Sequence, residues 1–156
     1  MAENRTDHAH VRLEPIVVLV IHILAVILLT WLVPLPFATS KFLEWLGYAL
    51  VVLGIGVAVS ARSQFVQAHT TRHPSGSVTS IVTGGPYRFS RNPIYLGFLC
   101  FLVGFSFIFR SYWGLVLSPV FIALMNMFVI QPEEAYLEVK FKDVYTGYKS
   151  RVRRWL

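Results

Sequence analysis

The sequence predicts an all-α integral membrane protein, a single domain over residues 1–156 with four transmembrane helices. The first observation is composition: 55% of the residues are hydrophobic and only 14% are charged, whereas soluble domains carry about 25% charged residues. The second is that the apolar residues form four long runs, and the third is that basic residues concentrate on one side of those runs. This apolar content excludes a disordered chain and a water-soluble monomer.

Each of the four apolar runs is long enough to cross a bilayer as a helix, which takes about 20 residues. The third and fourth runs are separated only by Arg110 and Ser111, so we expect them to form a tight hairpin. A connecting loop is expected over 62–92, and a tail over 132–156. The four spans are expected at about 16–36, 43–61, 93–109 and 112–131.

The basic residues determine the expected orientation. Twelve of the 14 Lys and Arg side chains fall in the N-terminal segment, the connecting loop and the tail, which leaves Lys41 and Arg110 on the other side. The positive-inside rule then places both termini in the cytoplasm and the protein in the inner or plasma membrane. The basic pI of about 9.8 is therefore a topology signal, with attraction to anionic lipids as a second effect. Nucleic acid is not an expected partner, and no oligomeric state follows from the sequence.

The connecting loop carries two arginines just ahead of the third helix. Gly84-Gly85-Pro86 predicts a sharp turn, and Asn92-Pro93 is typical of an N-cap followed by proline at the first helical position. Arg88 and Arg91 therefore precede a helix N-terminus with free N–H groups, which suits a carboxylate or a phosphate. The alternative is that both arginines only anchor the loop at the membrane surface.

The tail begins with two adjacent carboxylates. Glu133 and Glu134 directly follow the fourth span, where the helix dipole is already negative, so they need cationic partners such as Arg88, Arg91 or a cationic ligand. Seven apolar residues then recur at spacings of three and four and predict an amphipathic helix. This helix either lies on the membrane surface or folds back over the helix ends and covers a pocket. The seven residues are Leu137, Phe141, Val144, Tyr145, Tyr148, Val152 and Trp155.

Three features of the apolar runs are interpreted as packing. Small residues around Gly54 and Gly56 leave one side of the second helix open to close helix contact. His22, inside the first span, is interpreted as a hydrogen-bonded packing histidine. Cys100 is interpreted as a small apolar group, and a single cysteine excludes a disulfide framework.

Two blocks of the sequence resemble the signatures of integral-membrane methyltransferases. This group contains the isoprenylcysteine carboxyl methyltransferases and the phospholipid N-methyltransferases. The resemblance covers roughly Val66 to Leu156, and one helical hairpin separates the two blocks. The first block is GPYRFSRNPIYLG, from Gly85 to Gly97, and the second is Glu133-Glu134 followed by Leu137, Phe141, Tyr145, Tyr148, Arg151 and Val152.

The resemblance implies an enzyme that uses S-adenosylmethionine, with S-adenosylhomocysteine as the product, and a lipid or small amphipathic acceptor at the cytoplasmic face of the membrane. Arg88, Arg91 and the helix start at Asn92-Pro93 would hold the cofactor's carboxylate. Glu133 or Glu134 would pair with its cationic part. Aromatic rings would stack on adenine or face the sulfonium. The remaining residues expected at the cofactor are Tyr87, Tyr95, Tyr145, Tyr148 and Arg151.

Departures from the family pattern bear on the acceptor. His69-Thr70, His73-Pro74 and Phe141-Lys142 stand where many relatives have Gly-Thr, Asn-Pro and Phe-Gly. The stretch 129–132 lacks the arginine that carboxyl-methylating relatives have shortly before the acidic pair, which argues against isoprenylcysteine. The candidate catalytic residues are Glu133, His69 and His73, since imidazole titrates near cytoplasmic pH. The alternative role for both histidines is loop capping.

Two other functions are compatible with the sequence. The first keeps the fold but changes the chemistry, because membrane sterol reductases have a related C-terminal architecture and bind NADPH in a similar cavity. A small-molecule carrier or a helix-packing accessory subunit would need the same hydrophobic composition without any catalysis.

Overall fold

A computed structural model describes residues 13–36, 40–68 and 79–156. A short 3-10 turn, Gly85–Arg88, precedes the third helix, and a π-helical turn, Asn126–Ile130, joins the fourth helix to the fifth. The five helices are α1 Pro15–Leu32, α2 Lys41–Gln67, α3 Pro93–Ile108, α4 Trp113–Met125 and α5 Gln131–Lys149.

Three helical stretches are long and apolar enough to cross a membrane: α1, α2 and the continuous helix that runs from Trp113 to Lys149. The third helix, α3, is also apolar but has only 16 residues. The all-α, membrane-spanning class predicted from composition is therefore confirmed. The count of four spans and their orientation remain predictions.

The helix ends differ from the predicted span ends. Helix α1 ends at Leu32, whereas the span was expected to reach residue 36; Pro34 and Pro36 follow, and proline disfavours the helical conformation of the residue before it. Helix α2 continues to Gln67, beyond the expected end at 61. Hydropathy delimits the part of a helix that suits hydrocarbon, whereas a helix itself continues through polar residues such as Gln64.

The apolar core lies between α1, α3 and the end of α4. His22 lies beside this core with 4% of its surface exposed. Its Nδ1 donates to the Val18 carbonyl at 2.9 Å, and its ring meets Phe121 edge-on at 5.2 Å, which confirms the packing interpretation. The buried core residues are Val18, Leu19, Tyr95, Leu102, Phe121, Met125, Val129 and Ile130.

Glycine contacts bring α2 and α3 together. An ideal Cβ on Gly54 would lie 2.6 Å from the Gly97 carbonyl oxygen, and one on Gly97 would lie 2.6 Å from the Gly54 oxygen. The same reciprocal contact recurs seven residues away, between Gly47 and Gly104. The predicted close contact is confirmed at Gly54, whereas Gly56 has nothing within 4 Å of its ideal Cβ.

The α3–α4 hairpin lies at the end of α3 opposite its N-terminus. The predicted tight hairpin is present, with a turn over residues 109–112 that is one residue longer at each end than the expected Arg110-Ser111, and the turn packs on the segment that follows α1. The Tyr112 amide donates to the Leu35 carbonyl at 3.0 Å, and Trp113 Nε1 donates to the Val33 carbonyl at 2.8 Å. These bonds hold the segment after α1 against the start of α4.

The helix that begins at Trp113 passes through Pro132 without ending. Proline removes one main-chain donor and crowds the preceding turn, and the wider π turn at Asn126–Ile130 accommodates it. The expectation that Glu133 and Glu134 lie at a helix end with an unfavourable dipole is therefore wrong. They lie within a continuing helix, in the first turn of α5.

Helix α5 bends sharply at Lys142. The backbone of this residue has φ 44° and ψ −120°, a conformation that side chains with a Cβ rarely adopt and glycine adopts freely. The lysine therefore keeps the bend at a cost in strain. The bend matters because it directs Tyr145 and Tyr148 back toward the start of α3.

Replacing Lys142 with glycine should stabilise the protein by about 1 kcal/mol, because a strained left-handed residue costs about 1–2 kcal/mol and glycine loses part of that gain to its flexible unfolded state. Denaturant unfolding in mixed micelles measures the change. The control is Asp143→Gly, one residue later, where the same kind of substitution should destabilise a helix by about 0.3 kcal/mol, the difference in helix propensity between Asp and Gly. Equal destabilisation by both variants would contradict the strain.

Candidate functional site

The most buried ion pair in the described residues joins the two sequence blocks, and a residue of the tail binds the same carboxylate. Glu134 in α5 lies 3.0 Å from Arg91 Nη1, with 8% and 9% of the two side chains exposed. Arg154 binds the same carboxylate with two nitrogens, Nε to Oε1 at 3.2 Å and Nη2 to Oε2 at 2.7 Å. We call Arg91, Glu134 and Arg154 the arginine–glutamate cluster. One of the partners that the sequence allowed, an arginine before α3, is thus observed for Glu134.

Arg91 is incompletely satisfied within this cluster. Its Nε and Nη1 are buried and form no hydrogen bond of suitable geometry among the described residues, although Nη1 is at ion-pair distance from Glu134. A buried donor without an acceptor costs about 1–3 kcal/mol. The cluster also has two positive charges for one negative charge. An anionic group that accepts from Arg91 would remove both imbalances.

A second contact joins the same elements one residue earlier. The Tyr95 hydroxyl, on the first turn of α3, donates to Glu133 Oε1 at 2.9 Å. Tyr95 is buried, with 3% of its surface exposed, whereas Glu133 is half-buried. The two adjacent carboxylates therefore have different surroundings. Both oxygens of Glu134 are held by arginine, and Glu133 is oriented by a neutral phenol.

The final residues of the tail pack against the start of α3. The Arg91 amide donates to the Arg153 carbonyl at 3.0 Å, and the Asn92 side-chain amide donates to the Arg154 carbonyl at 3.1 Å. Asn92 occupies the N-cap position of α3, as predicted, but its side chain makes no cap hydrogen bond. Trp155 Nε1 donates to Asn126 Oδ1 at 3.1 Å. Of the two interpretations of the tail, folding back over the helix ends is favoured.

Two of the predicted tyrosines also tie the tail to the loop. The Tyr148 hydroxyl donates to the Tyr87 carbonyl at 2.7 Å, and both residues are buried. Tyr87 lies in the 3-10 turn after Gly84, whose ideal Cβ would lie 2.8 Å from Gln64 Oε1. Gly84 and Gly85 therefore allow the loop to lie close to the end of α2. The hydrogen bond from Tyr148 holds the same loop against the tail.

Tyr145 lies beyond the apolar part of its helix and beside the arginine–glutamate cluster, with 3% of its surface exposed. Burial, followed by the negative charge of Glu134, raises the pKa of Tyr145 to about 12, and a hydrogen bond with Arg91 and its charge act in the opposite direction. Tyr145 therefore remains a neutral phenol at every physiological pH.

The folded-state pKa of Tyr145 makes alkaline stability testable. The unfolded value is about 10, so between pH 10 and 12 the unfolded chain loses a proton that the folded chain keeps. Stability should therefore fall as pH rises through this window. The difference in tyrosinate absorbance between the wild type and the Tyr145→Phe variant should show one titration step, at a pH of about 12. A step near 10 would contradict the buried position.

The other predicted site residues lie apart from these contacts or outside the described residues. Arg88 is exposed, and Arg151 is exposed and donates from Nε to the Gly147 carbonyl. Pro93 is buried as the first residue of α3. His69 and His73 fall within 69–78, outside the described residues.

Comparison with known proteins bears directly on this arrangement. Residues 42–144, well over half of the chain, match the family model described as phospholipid methyltransferase. The chain belongs to the phospholipid methyltransferase family. A stretch of 37 residues is also 57% identical to an uncharacterized protein of Haemophilus influenzae, covering 24% of this chain and 59% of that relative's length. No solved structure matches the chain.

Membership of the phospholipid methyltransferase family confirms the resemblance predicted from the two blocks, and the protein is accordingly a membrane protein of a methyltransferase family. The match begins at residue 42, earlier than the expected Val66, and so includes all but the first residue of α2. It ends at residue 144. Tyr145, Tyr148 and Arg154, which close the site, lie beyond the matched region.

Sequence reasoning missed two polar residues that the structure places at the candidate site, Arg154 and Asn126. Arg154 was grouped with the other basic residues of the tail, since no spacing rule relates it to Glu134, 20 residues earlier. Asn126 carried a usable signal, because a polar residue within an apolar span usually has a specific partner. Its partner is Trp155.

Proposed function

We propose that this protein transfers a methyl group from S-adenosylmethionine to a lipid or small amphipathic acceptor at the cytoplasmic face of the membrane. The observation that carries the proposal is the arginine–glutamate cluster, because it brings the two signature blocks together at one end of α3 and α5. Family membership supports methyl transfer. The cofactor, the acceptor class and the orientation are our inference.

The residues present suit the charged groups of S-adenosylmethionine. Arg91 has buried N–H groups that lack acceptors, so it is our candidate for the carboxylate of the cofactor, with the start of α3 beside it. Arg88, which is exposed, would also attract the carboxylate of the cofactor. Glu134 is fully engaged by arginine, so Glu133 is the better candidate for the cationic part.

When bound, S-adenosylmethionine supplies an electrophilic methyl group on a sulfonium. Methyl transfer by direct displacement needs alignment of donor and acceptor more than it needs acid or base chemistry. Tyr95 orients Glu133 for this purpose. Tyr145, as a neutral ring next to the cluster, and the Tyr87–Tyr148 contact would enclose the adenine side and exclude water.

The acceptor is proposed to enter from the lipid. Val129 and Ile130, which precede the acidic pair with Gln131 and Pro132 between them, are completely buried apolar residues. This stretch therefore offers no cation to an acceptor carboxylate, which favours a lipid with a different reacting group. Glu133 is the candidate catalytic residue at the described site, and His69 and His73 are proposed as bases for an amine or thiol acceptor.

Calorimetry of the detergent-purified protein with S-adenosylhomocysteine tests the cofactor directly. We expect binding with one-to-one stoichiometry. Transfer of labelled methyl groups to a lipid extract then tests the reaction, while NADPH oxidation by the same preparation tests the reductase alternative. Binding of neither ligand would contradict an enzyme of either kind and favour the carrier or accessory role.

Two variants test the site assignment. Arg91→Ala and Glu133→Ala should each weaken binding of S-adenosylhomocysteine by about 2–5 kcal/mol, as expected when one partner of a buried, hydrogen-bonded charge pair is removed. The exposed pair Glu138 and Lys149 supplies the matched controls, because Glu138→Ala and Lys149→Ala make the same charge changes at the surface. Wild-type affinity in both site variants would overturn the assignment.

A further inference from the structure

One residue of the tail contacts both signature blocks. The Arg154 side chain binds Glu134 of the second block, and the Arg154 carbonyl accepts from Asn92 and Ser90 of the first block, at 3.1 and 3.3 Å. We propose that Arg154 is a positioning residue for the cofactor: it immobilises Glu134 so that Arg91 keeps its donors for the ligand's carboxylate. This inference rests on the proposed function, because it concerns the same site.

The geometry of the shared carboxylate carries the argument. A two-nitrogen contact from arginine fixes the plane of a carboxylate as well as its position. Arg154 takes one contact on each oxygen of Glu134, and Arg91 approaches Oε1 only, through Nη1. Arg91 is therefore held at one edge of the carboxylate: its Nε has no hydrogen-bond acceptor among the described residues, and its Nη1 is at ion-pair distance from Oε1 without a hydrogen bond of suitable geometry.

Without the Arg154 side chain, no other contact seen among the described residues would fix the plane of the Glu134 carboxylate. The carboxylate would be able to rotate and offer both oxygens to Arg91, which prefers such a paired contact. The donors of Arg91 would then be occupied inside the protein and lost to an incoming anion. The expected consequence is weaker binding of ligands that carry a carboxylate, rather than slower chemistry at saturation.

The Arg154 side chain is not needed to keep the tail in place. Its carbonyl contacts and the Trp155 indole contact with Asn126 do not involve the guanidinium. About a third of the side chain remains exposed, at 32%. The hydrogen bond to Glu134 raises the pKa of Arg154, so it is charged at every relevant pH. A substitution that preserves the main chain should therefore alter the cluster without detaching the tail.

Calorimetry with two ligands tests the proposal. Arg154→Gln should raise the Kd of S-adenosylhomocysteine about tenfold or more, the size of one hydrogen bond to a charged group. It should change the Kd of methylthioadenosine, which has no carboxylate, by less than about threefold. Arg154→Lys keeps the positive charge but lacks the two-nitrogen guanidinium contact, so its effect on the Kd of S-adenosylhomocysteine should be intermediate. If Arg154→Gln does not fold, Arg154→Lys is used in its place. An equal loss for both ligands would overturn the proposal.

The matched control is Arg153→Gln, since Arg153 is adjacent, exposed and contacts Arg91 only through its carbonyl. It should leave both Kd values unchanged. With a saturating acceptor, Arg154→Gln should raise KM for S-adenosylmethionine and leave kcat within about threefold, because the residue does not touch the reacting atoms. A fall in kcat with an unchanged KM would overturn the positioning role.

A measurement without ligand separates this inference from the proposed function. In arginine-labelled protein, the Nε–H resonance of Arg91, assigned with Arg91→Lys, should shift in Arg154→Gln and stay in place in Arg153→Gln. If wild type does not bind S-adenosylhomocysteine, the proposed function fails. The resonance then decides the inference alone: a shift retains Arg154 as the residue that positions Arg91, and an unchanged resonance overturns it.

Discussion

Replacing Glu134 with glutamine should destabilise the protein by about 3 kcal/mol, a large fraction of the stability of an ordinary domain. The substitution preserves shape and removes the one negative charge that Arg91 and Arg154 share. Breaking a buried ion pair from one side costs about 3–5 kcal/mol, because the remaining charge stays buried. We expect the lower end of that range, since water reaches a third of the Arg154 side chain. Denaturant unfolding in mixed micelles measures the loss.

The control for this prediction is Glu138→Gln in the same helix. Glu138 pairs with Lys149 at the surface, where about two fifths of each side chain is exposed, and surface pairs contribute about 0–1 kcal/mol. A double variant, Glu134→Gln with Arg154→Gln, should recover part of the stability, because it also removes one of the unpaired charges. Equal effects of Glu134→Gln and Glu138→Gln would show that the cluster is not a stabilising contact.

The charged part of the site was partly predictable from the sequence. Two carboxylates expected at the negative end of a helix were predicted to need a cationic partner, with Arg88, Arg91 or a cationic ligand as candidates. The structure gives Glu134 such a partner, although the carboxylates do not lie at a helix end. The choice among partners was not predictable. Arg88 and Arg91 are equivalent in the sequence, and only the fold exposes the first and buries the second. Arg154 reaches Glu134 because of the bend at Lys142, which hydropathy does not encode.

The positions of the apolar helical stretches were predictable from the sequence. The continuation of one helix from Trp113 past Pro132 was not. Pro132 looked like the end of a helix, as proline commonly is. The π turn before it allows the helix to continue, so that Glu134 reaches Arg91 from the side of a helix rather than from its end. Such turns often lie at functional sites, and the deviation from the local rule here falls next to the candidate site.

The stability of the α2–α3 contact should depend on Gly54 far more than on Gly56. An alanine Cβ at position 54 would meet the Gly97 carbonyl oxygen at 2.6 Å and Cys100 Cβ at 3.1 Å. Main-chain atoms cannot move aside as a flexible side chain does, so the two helices must separate. Overpacking a core costs about 1–3 kcal/mol, and we expect Gly54→Ala to reach the upper end of that range.

Gly56→Ala is the matched control, two residues along the same helix. Its ideal Cβ has nothing within 4 Å, so alanine should stabilise the helix by up to about 1 kcal/mol. Unfolding of both variants in the same micelles should therefore give changes of opposite sign. Separation of α2 from α3 in Gly54→Ala should also disturb the candidate site, because Gly97 lies one helical turn after Pro93 and two residues after Tyr95. We expect Gly54→Ala to weaken binding of S-adenosylhomocysteine and Gly56→Ala to leave it intact, and the opposite ranking would contradict the close contact of α2 and α3.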